Sequence, residues 1–461
     1  MSSALPSYDE AAAMVSAYAA QLREAQLREA GQPVGCERVE IARAAGRVLA
    51  QTIVADSDQP PFARSTRDGF ACRAAEASRH EWLDVAGATR AGEGPGEPLP
   101  VGAAWEIMTG AAVPAGADAV VMIEHVEQAG FGPTGLEQTG RDQSGGRVRL
   151  NPERKISAGE NIVAQGAQAH EGDALLPAGI AITFAQIALL ASCGYGEVKV
   201  YPRPRVAILA TGDELVAVDA VPGPGQIRNS NAPMLAALAA AAGGDPWILP
   251  AAADTAEALD RALDQVRSEP RHGAAQADLL LISGGVSAGK FDLVEPALAR
   301  RGARFHFTGV RIQPGKPLVF GEMPRGGQPP RQMDAGSQTT SEQGTLPFFG
   351  LPGNPVSSAV TFLLFAAPVL AALRGSSEAA PRFALARLAG ETDRRAKPGL
   401  TRFPPAACSF SATAGQLPEV DLVPWQGSGD LAALARSNCF LVIPEGTGSL
   451  AAGETVRILL P

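Results

Sequence analysis

From Arg205 to about Gly375 the chain repeats one pattern, strand, turn and helix. The run RVAILATGDEL is a strand that ends at a glycine turn. Asn231 and Pro233 then open a helix that Gly243 and Gly244 close. Trp247 to Leu249 is a short strand, and Asp254 to Val266 is a second helix. ADLLLISGG is a buried strand running into a Gly turn, after which Asp292 opens a third helix. RFHFTGVRI, LVFGEM and FFGL are further strands, and Val356 to Leu373 is a fourth helix. Alternation of this kind predicts an α/β domain with a mostly parallel sheet and helices on both faces. Ligands of such sheets bind beyond the carboxyl ends of the strands.

At 461 residues the chain is too long for one core, and two to four domains are expected. Its 51 Gly and 37 Pro favour many turns over long bundles. Residues 7 to 30 predict one helix, started by a capping box of Ser7 and Glu10. Residues 31–154 carry short β-like runs between Gly/Pro turns and predict a mostly β module, with a loop or hairpin tip over 127–149. The polar, aperiodic stretch between Pro324 and Pro347 predicts an insertion in a hairpin-like connection. Residues 376–461 predict a small C-terminal β domain.

A net charge of −9 gives no basic face, so nucleic acid is not an expected partner. An anionic ligand would need a local device: a helix N-terminus, a divalent cation, or a few placed Lys and Arg residues. The five cysteines, Cys36, Cys72, Cys193, Cys408 and Cys439, include no CxxC pair, and the five histidines form no ligand cluster, so a zinc site is not expected. The N-terminus lacks the charged and apolar regions of a signal peptide. The longest apolar stretch, Ala359 to Leu373, contains Pro368 and predicts a buried core helix rather than a membrane span. A cytoplasmic protein is the expectation.

Four short segments fall at strand ends of the α/β domain: Ala210–Glu214 (ATGDE), Ser283–Asp292 (SGGVSAGKFD), Pro314–Pro317 (PGKP) and Leu351–Pro355 (LPGNP). Each joins Gly, which lets backbone approach a ligand, to a polar or charged side chain. A strand followed by SGG and a helix can cradle phosphate oxygens on N–H groups. Asp213, Glu214 and Asp292 would add hard oxygen ligands suited to Mg2+. Lys316, between two prolines, suits a fixed anion contact. Each segment alone has a plainer reading. Asp292 with Glu295, or Asp254 with Glu257, is enough for a helix cap, and for Asp254 the cap is the expected role. All four together, on alternating strands, are hard to explain as turns.

With RDGFA (67–71), IMTGAAVPAGADAVVMIE (107–124), ENI (160–162) and LPGNPVS (351–357), these segments resemble the MoeA and gephyrin E-domain family, the molybdopterin molybdenumtransferases, over nearly the whole length. The resemblance implies four domains. These are an elongated domain of two segments (1–30 and 155–183), a mostly β domain (31–154), an α/β molybdopterin-binding domain (184–375, insertion 324–347) and a C-terminal β-barrel-like domain (376–461). It implies a homodimer that joins adenylylated molybdopterin and molybdate, releasing AMP, with Mg2+. The molybdopterin adenylyltransferase and molybdoenzyme chaperones are its candidate protein partners, and no membrane is involved. By position, it implies catalytic roles for Asp68, Glu214, Asp292 and Lys316, with Glu214 and Asp292 on metal. It implies substrate contacts for Thr211, Gly212, Asp213, Asp254, Ser283, Gly284, Gly285, Ser287, Pro314, Pro317, Asn354 and Ser357.

Four positions depart from the family pattern. Arg64 opens the RDGFA region, Gln168 stands where an acidic residue is common, and Gln313 and Pro405 stand where basic residues are expected, with Arg402 close by. These changes support an alternative: a molybdopterin-binding scaffold with weakened turnover, or a paralogue preferring tungstate. An unrelated nucleotide hydrolase finds no support, because no GxxxxGK[ST] run is present.

Overall fold

The computed structural model describes residues 5–28, 35–131, 146–267, 276–285, 293–325, 344–392, 399–409 and 415–461. The chain divides into two compact units. The first is Met1–Ala50, Gly179–Phe184 and Glu197–Pro461; the second is Gln51–Ala178 and Ala185–Gly196.

The first unit opens with helix α1 (Tyr8–Arg28). The Ser7 N–H donates to Glu10 Oε2 at 2.7 Å and the Glu10 N–H to Ser7 Oγ at 3.2 Å, the reciprocal capping box its sequence predicts. One face of the helix is in the core, with Ala11, Val15, Tyr18 and Ala19 buried.

The centre of the unit is a six-stranded sheet. Its strands are β1 (Arg205–Ala210), β2 (Asp245–Ile248), β3 (Leu279–Ser283), β4 (Arg304–Thr308), β5 (Val319–Pro324) and β6 (Thr345–Leu351). The order across the sheet is β2-β1-β3-β6-β5-β4, and β5 alone runs against the others. Alternate residues face opposite sides. Val206, Ile208, Leu279 and Leu281 pack with helix α2 (Asn231–Ala241), whereas Ala207, Leu209, Leu280 and Ile282 pack with α3 (Ala256–Arg267) and α4 (Val294–Arg300). Covering both faces buries every residue of β3, which is why that strand is apolar without alternation from Leu279 to Ile282.

The β1-α2-β2 connection moves outward, and β2-α3-β3 returns to the other side of β1. The order reverses between β1 and β3, so a crevice opens at their carboxyl ends. Strands β5 and β6 form the arms of the expected hairpin; residues 326–343 of its connection lie outside the described residues. After β6, Pro355–Leu373 is one helix, α5, with a π-helical segment at Phe362–Ala366 just before Pro368. It is long and apolar enough to cross a membrane, but most of it is buried inside the unit. Five strands between Phe383 and Leu459 close a C-terminal barrel, as the barrel-like expectation requires.

The second unit carries a six-stranded β sheet and agrees with a mostly β module. Its sequential neighbours across the sheet are Ala119–Met122, Gly69–Cys72, Ala103–Ile107, Leu83–Thr89, Arg147–Leu150 and Val126–Ala129. The last two pair as hairpin arms, and residues 132–145 between them are outside the described residues. Gly69 sits where a Cβ would lie 1.9 Å from the Val121 carbonyl oxygen, so only glycine lets these two strands meet. Gly69→Ala is therefore expected to destabilise the protein by about 1–3 kcal/mol. An unchanged midpoint in denaturant unfolding would refute this packing.

Candidate functional site

The carboxyl ends of β1 and β3 approach closely. The Thr211 N–H donates to the Ser283 carbonyl at 2.9 Å, and the Gly284 N–H donates to the Leu351 carbonyl at 3.1 Å. Gly284 and Gly285 both have positive φ, +95° and +64°. A Cβ on Gly284 would lie 2.6 Å from the Thr211 carbonyl oxygen, and one on Gly285 would lie 2.9 Å from Thr211 Oγ1. The glycines thus allow strand ends to meet. The expected N–H cradle is only partly available, because Gly284 has spent its N–H within the sheet, as has Gly212 on the Ala252 carbonyl.

One cavity opens over this floor and a second adjoins it. The larger, about 850 Å³, is lined by Thr211, Gly212, Glu214, Asp254, Ser283, Gly284, Gly285, Pro317 and Asn354 among others. The second, about 700 Å³, is lined by Glu214, Gln313, Pro314, Lys316, Pro317, Asn354 and Ser357 among others. Glu214, Pro317 and Asn354 belong to both walls, so the four motifs do converge. Among the described lining residues, each cavity has one cationic side chain: Arg228 in the first and Lys316 in the second.

The acidic residues differ in their placement. The Asp254 N–H donates to Asp213 Oδ1 at 2.9 Å, which ties the loops after β1 and β2 together. The Asp254 carboxyl is held above its ordinary value, first by lost hydration and then by the negative charges of Asp213 and Glu214; a hydrogen bond from the Asp213 backbone opposes the shift. Its expected capping role is overturned: Thr255 Oγ1 accepts the Ala258 N–H at 3.2 Å and caps α3 instead. That leaves the Asp254 carboxylate at the cavity wall. Asp68 belongs to the second unit, where its Oδ1 accepts the Thr109 N–H at 2.6 Å. Ser287 and Asp292 lie outside the described residues. Among the described residues, no group of three or more His, Cys, Asp or Glu is placed to hold a metal ion.

Lys316 is exposed, while its loop is fixed: the Lys316 carbonyl accepts N–H bonds from Val310 and Leu318, each at 3.0 Å. The peptide bond before Pro314 is cis. Asn354 precedes α5 and donates from Nδ2 to Ser428 Oγ at 2.8 Å. Of the positions that depart from the family pattern, Pro405 begins a barrel strand and is buried. Arg402 lies beside Gln313 in a short parallel pair, and its guanidinium donates to the Thr447 and Gly448 carbonyls.

Sequence reasoning missed Asn231, which it read only as a helix start. Its Nδ2 donates to Ser283 Oγ at 2.8 Å and to the Gly353 carbonyl at 2.6 Å, bridging the SGG and LPGN segments. The Gly353 oxygen can only accept, so it fixes which way the amide points. The run RNSN before an apolar helix was the available signal. It also missed Ser428 and Leu431, which reach the cavities from the segment preceding the penultimate barrel strand.

Family models match three stretches: the MoeA N-terminal region (domain I and II) over residues 7–194, a probable molybdopterin binding domain over 207–372, and the MoeA C-terminal region (domain IV) over 387–460. The molybdopterin molybdenumtransferase of Haemophilus influenzae is 31% identical over 452 residues, 95% of this chain and 97% of its own. That of Bacillus subtilis is 33% identical over 422 residues, 90% of this chain and 87% of its own. Among solved structures, a molybdopterin biosynthesis MoeA protein of Pyrococcus horikoshii OT3 superposes with a TM-score of 0.71 at 26% identity, covering 99% of this chain and 100% of its own.

The Asn231 bridge is testable on stability alone. Asn231→Ala strips both donors from Ser283 and Gly353 and is expected to cost about 1–2 kcal/mol. Asn231→Asp should cost more at neutral pH, since a carboxylate would face the Gly353 carbonyl. Denaturant unfolding of the two variants checks the order, and an Asp variant as stable as the parent would sink the bridge.

Proposed function

This chain belongs to the MoeA family, and on that premise we propose that it is a molybdenum insertase. It transfers molybdenum from molybdate to adenylylated molybdopterin and releases AMP. The observation that carries this reading is the pair of adjoining cavities with Glu214 in the wall between them. One cavity suits the pterin and its phosphoanhydride, and the other suits molybdate.

The residues divide the work. The floor of Thr211, Ser283, Gly284 and Gly285 receives the pterin substrate, with Asp213 holding the Asp254 loop against it. Lys316 presents one positive charge to molybdate from a loop braced at its own carbonyl, beside Ser357 and Asn354, with Pro314 and Pro317 stiffening the turn. The substrate's own dithiolate ligates molybdenum, so no Cys or His cluster of the protein is needed. Glu214 acts at the junction. By their positions in the family motifs, Asp68 and Asp292 are assigned as further catalytic carboxylates.

The Glu214 and Asp254 carboxylates share the wall of the first cavity, a charge that favours a cation there. Mg2+ ordinarily takes one or two carboxylates and completes its shell with phosphate oxygens and water. Glu214 and Asp292 fit that donor set, and bound Mg2+ would neutralise charge on the phosphoanhydride. The same reading includes a homodimer working in the cytoplasm.

One observation favours a second reading, a pterin-binding scaffold with weak turnover. Pro405 brings no charge and the Arg402 guanidinium donates to the Thr447 and Gly448 carbonyls, and neither residue lines the second cavity, so that cavity gains no cation from them.

Purified protein given adenylylated molybdopterin, molybdate and Mg2+ is expected to release AMP and form active cofactor. Glu214→Gln should lower AMP release by about a hundredfold while pterin binding persists. No AMP or cofactor from the parent, while a working insertase succeeds alongside, would leave the scaffold reading. Lys316→Ala should weaken molybdate binding about tenfold, measured by calorimetry; unchanged affinity would remove Lys316 from the molybdate site.

A further inference from the structure

We propose that Thr361 is a positioning residue for Lys316, its γ-methyl group forming the floor on which the PGKP loop rests. The inference depends on the assignment of Lys316 to molybdate made above.

Thr361 is fully buried in α5, about one turn beyond Ser357. Its hydroxyl is satisfied inside the helix, donating toward the Ser357 carbonyl at 2.8 Å and the Ser358 carbonyl at 3.2 Å. A helical threonine divides between two χ1 rotamers, and such a bond selects one of them. With the hydroxyl turned to the helix backbone, the methyl faces Gly315. A Cβ built on Gly315 would lie 2.6 Å from Thr361 Cγ2, so the bare backbone of Gly315 rests directly on that methyl group. Gly315 has φ +116° and immediately precedes Lys316.

The loop is therefore held on two sides. Val310 and Leu318 grip the Lys316 carbonyl, and Thr361 supports Gly315 from below. The same helical turn holds the other motif, because Ser358 Oγ donates to the Pro352 carbonyl. One buried Ser-Ser-x-x-Thr stretch thus fixes the height of both the PGKP and LPGN loops. Removing the methyl leaves a gap under Gly315 and lets the lysine drift, and the attraction of a single charge falls off with distance.

The test separates the two halves of the side chain. Thr361→Ser keeps the hydroxyl and loses the methyl; Thr361→Val keeps the methyl and loses both hydrogen bonds. Equilibrium binding of molybdate and, separately, of AMP is measured by calorimetry on the full-length protein, so the result does not depend on turnover. The Ser variant is expected to bind molybdate about tenfold more weakly, with AMP affinity unchanged, and the Val variant to stay within about twofold of the parent. Equal weakening in both variants, or a parallel loss of AMP affinity, would show a general packing defect and overturn the proposal. So would undiminished molybdate binding by Thr361→Ser. Lys316→Ala serves as the control. If it leaves molybdate affinity intact, the lysine assignment fails and takes the inference with it; if it weakens binding while Thr361→Ser does not, the positioning role alone fails.

Discussion

The approach of two strand ends, β1 at Thr211 and β3 at Gly284 and Gly285, is the contact on which the rest of the cavity depends. A side chain at either glycine would collide with Thr211, either its backbone carbonyl or its hydroxyl oxygen. Separation of the strands would pull Ser283 away from Asn231 and break the bridge to Gly353. The floor also carries an unsatisfied polar group: Thr211 Oγ1 is buried with no hydrogen-bond partner. A buried orphan of that kind costs roughly 1–3 kcal/mol. The surrounding sheet, buried on both faces, is stable enough to tolerate it.

Helix α5 does for the second cavity what the strand ends do for the first. Its opening residues line the wall, Ser358 ties down Pro352, and Thr361 lies under Gly315. The helix is buried along most of its length, so its first turns cannot rock independently of the core. Loops fixed to such a base present their charges from constant positions, which preorganises a site at little entropic cost on binding.

Much of this architecture was legible in the sequence because its signals are local. The LLLIS run reads as a strand covered on both faces, the Ser7–Glu10 box needs only the helix it caps, and glycine turns mark the strand ends. What escaped is mostly tertiary. Thr255 and Asp254 are adjacent and both competent as caps; the choice falls to Thr255, the residue directly before the helix at Ala256. Asn231 looks like any helix-opening residue until Ser283 and Gly353, 52 and 122 positions away, come within reach of its amide. Ser428 and Leu431 arrive from the turn and short capped helix after Trp425, far along the chain from the motifs they join. The glycines of SGG were readable as close-approach residues, but not that Thr211 is among the partners they approach.

The charge balance of the second cavity follows from where the barrel places its residues. Pro405 is buried and uncharged, and the Arg402 guanidinium lies against two carbonyl oxygens. Among the described lining residues Lys316 is then the single cation facing that cavity, against Glu214 on the shared wall. A tetrahedral dianion held by several cations is tolerant of small displacements, because the field of one compensates for another. With one ammonium the interaction falls off directly with distance, and neutral donors such as Ser357 must supply the remaining contacts from fixed positions. A chain with fewer charges around its anion site must rely more on the rigidity of the loop that carries the remaining one, and that rigidity comes from the two hydrogen bonds on the Lys316 carbonyl together with the packing of Gly315 on Thr361 and Ile312.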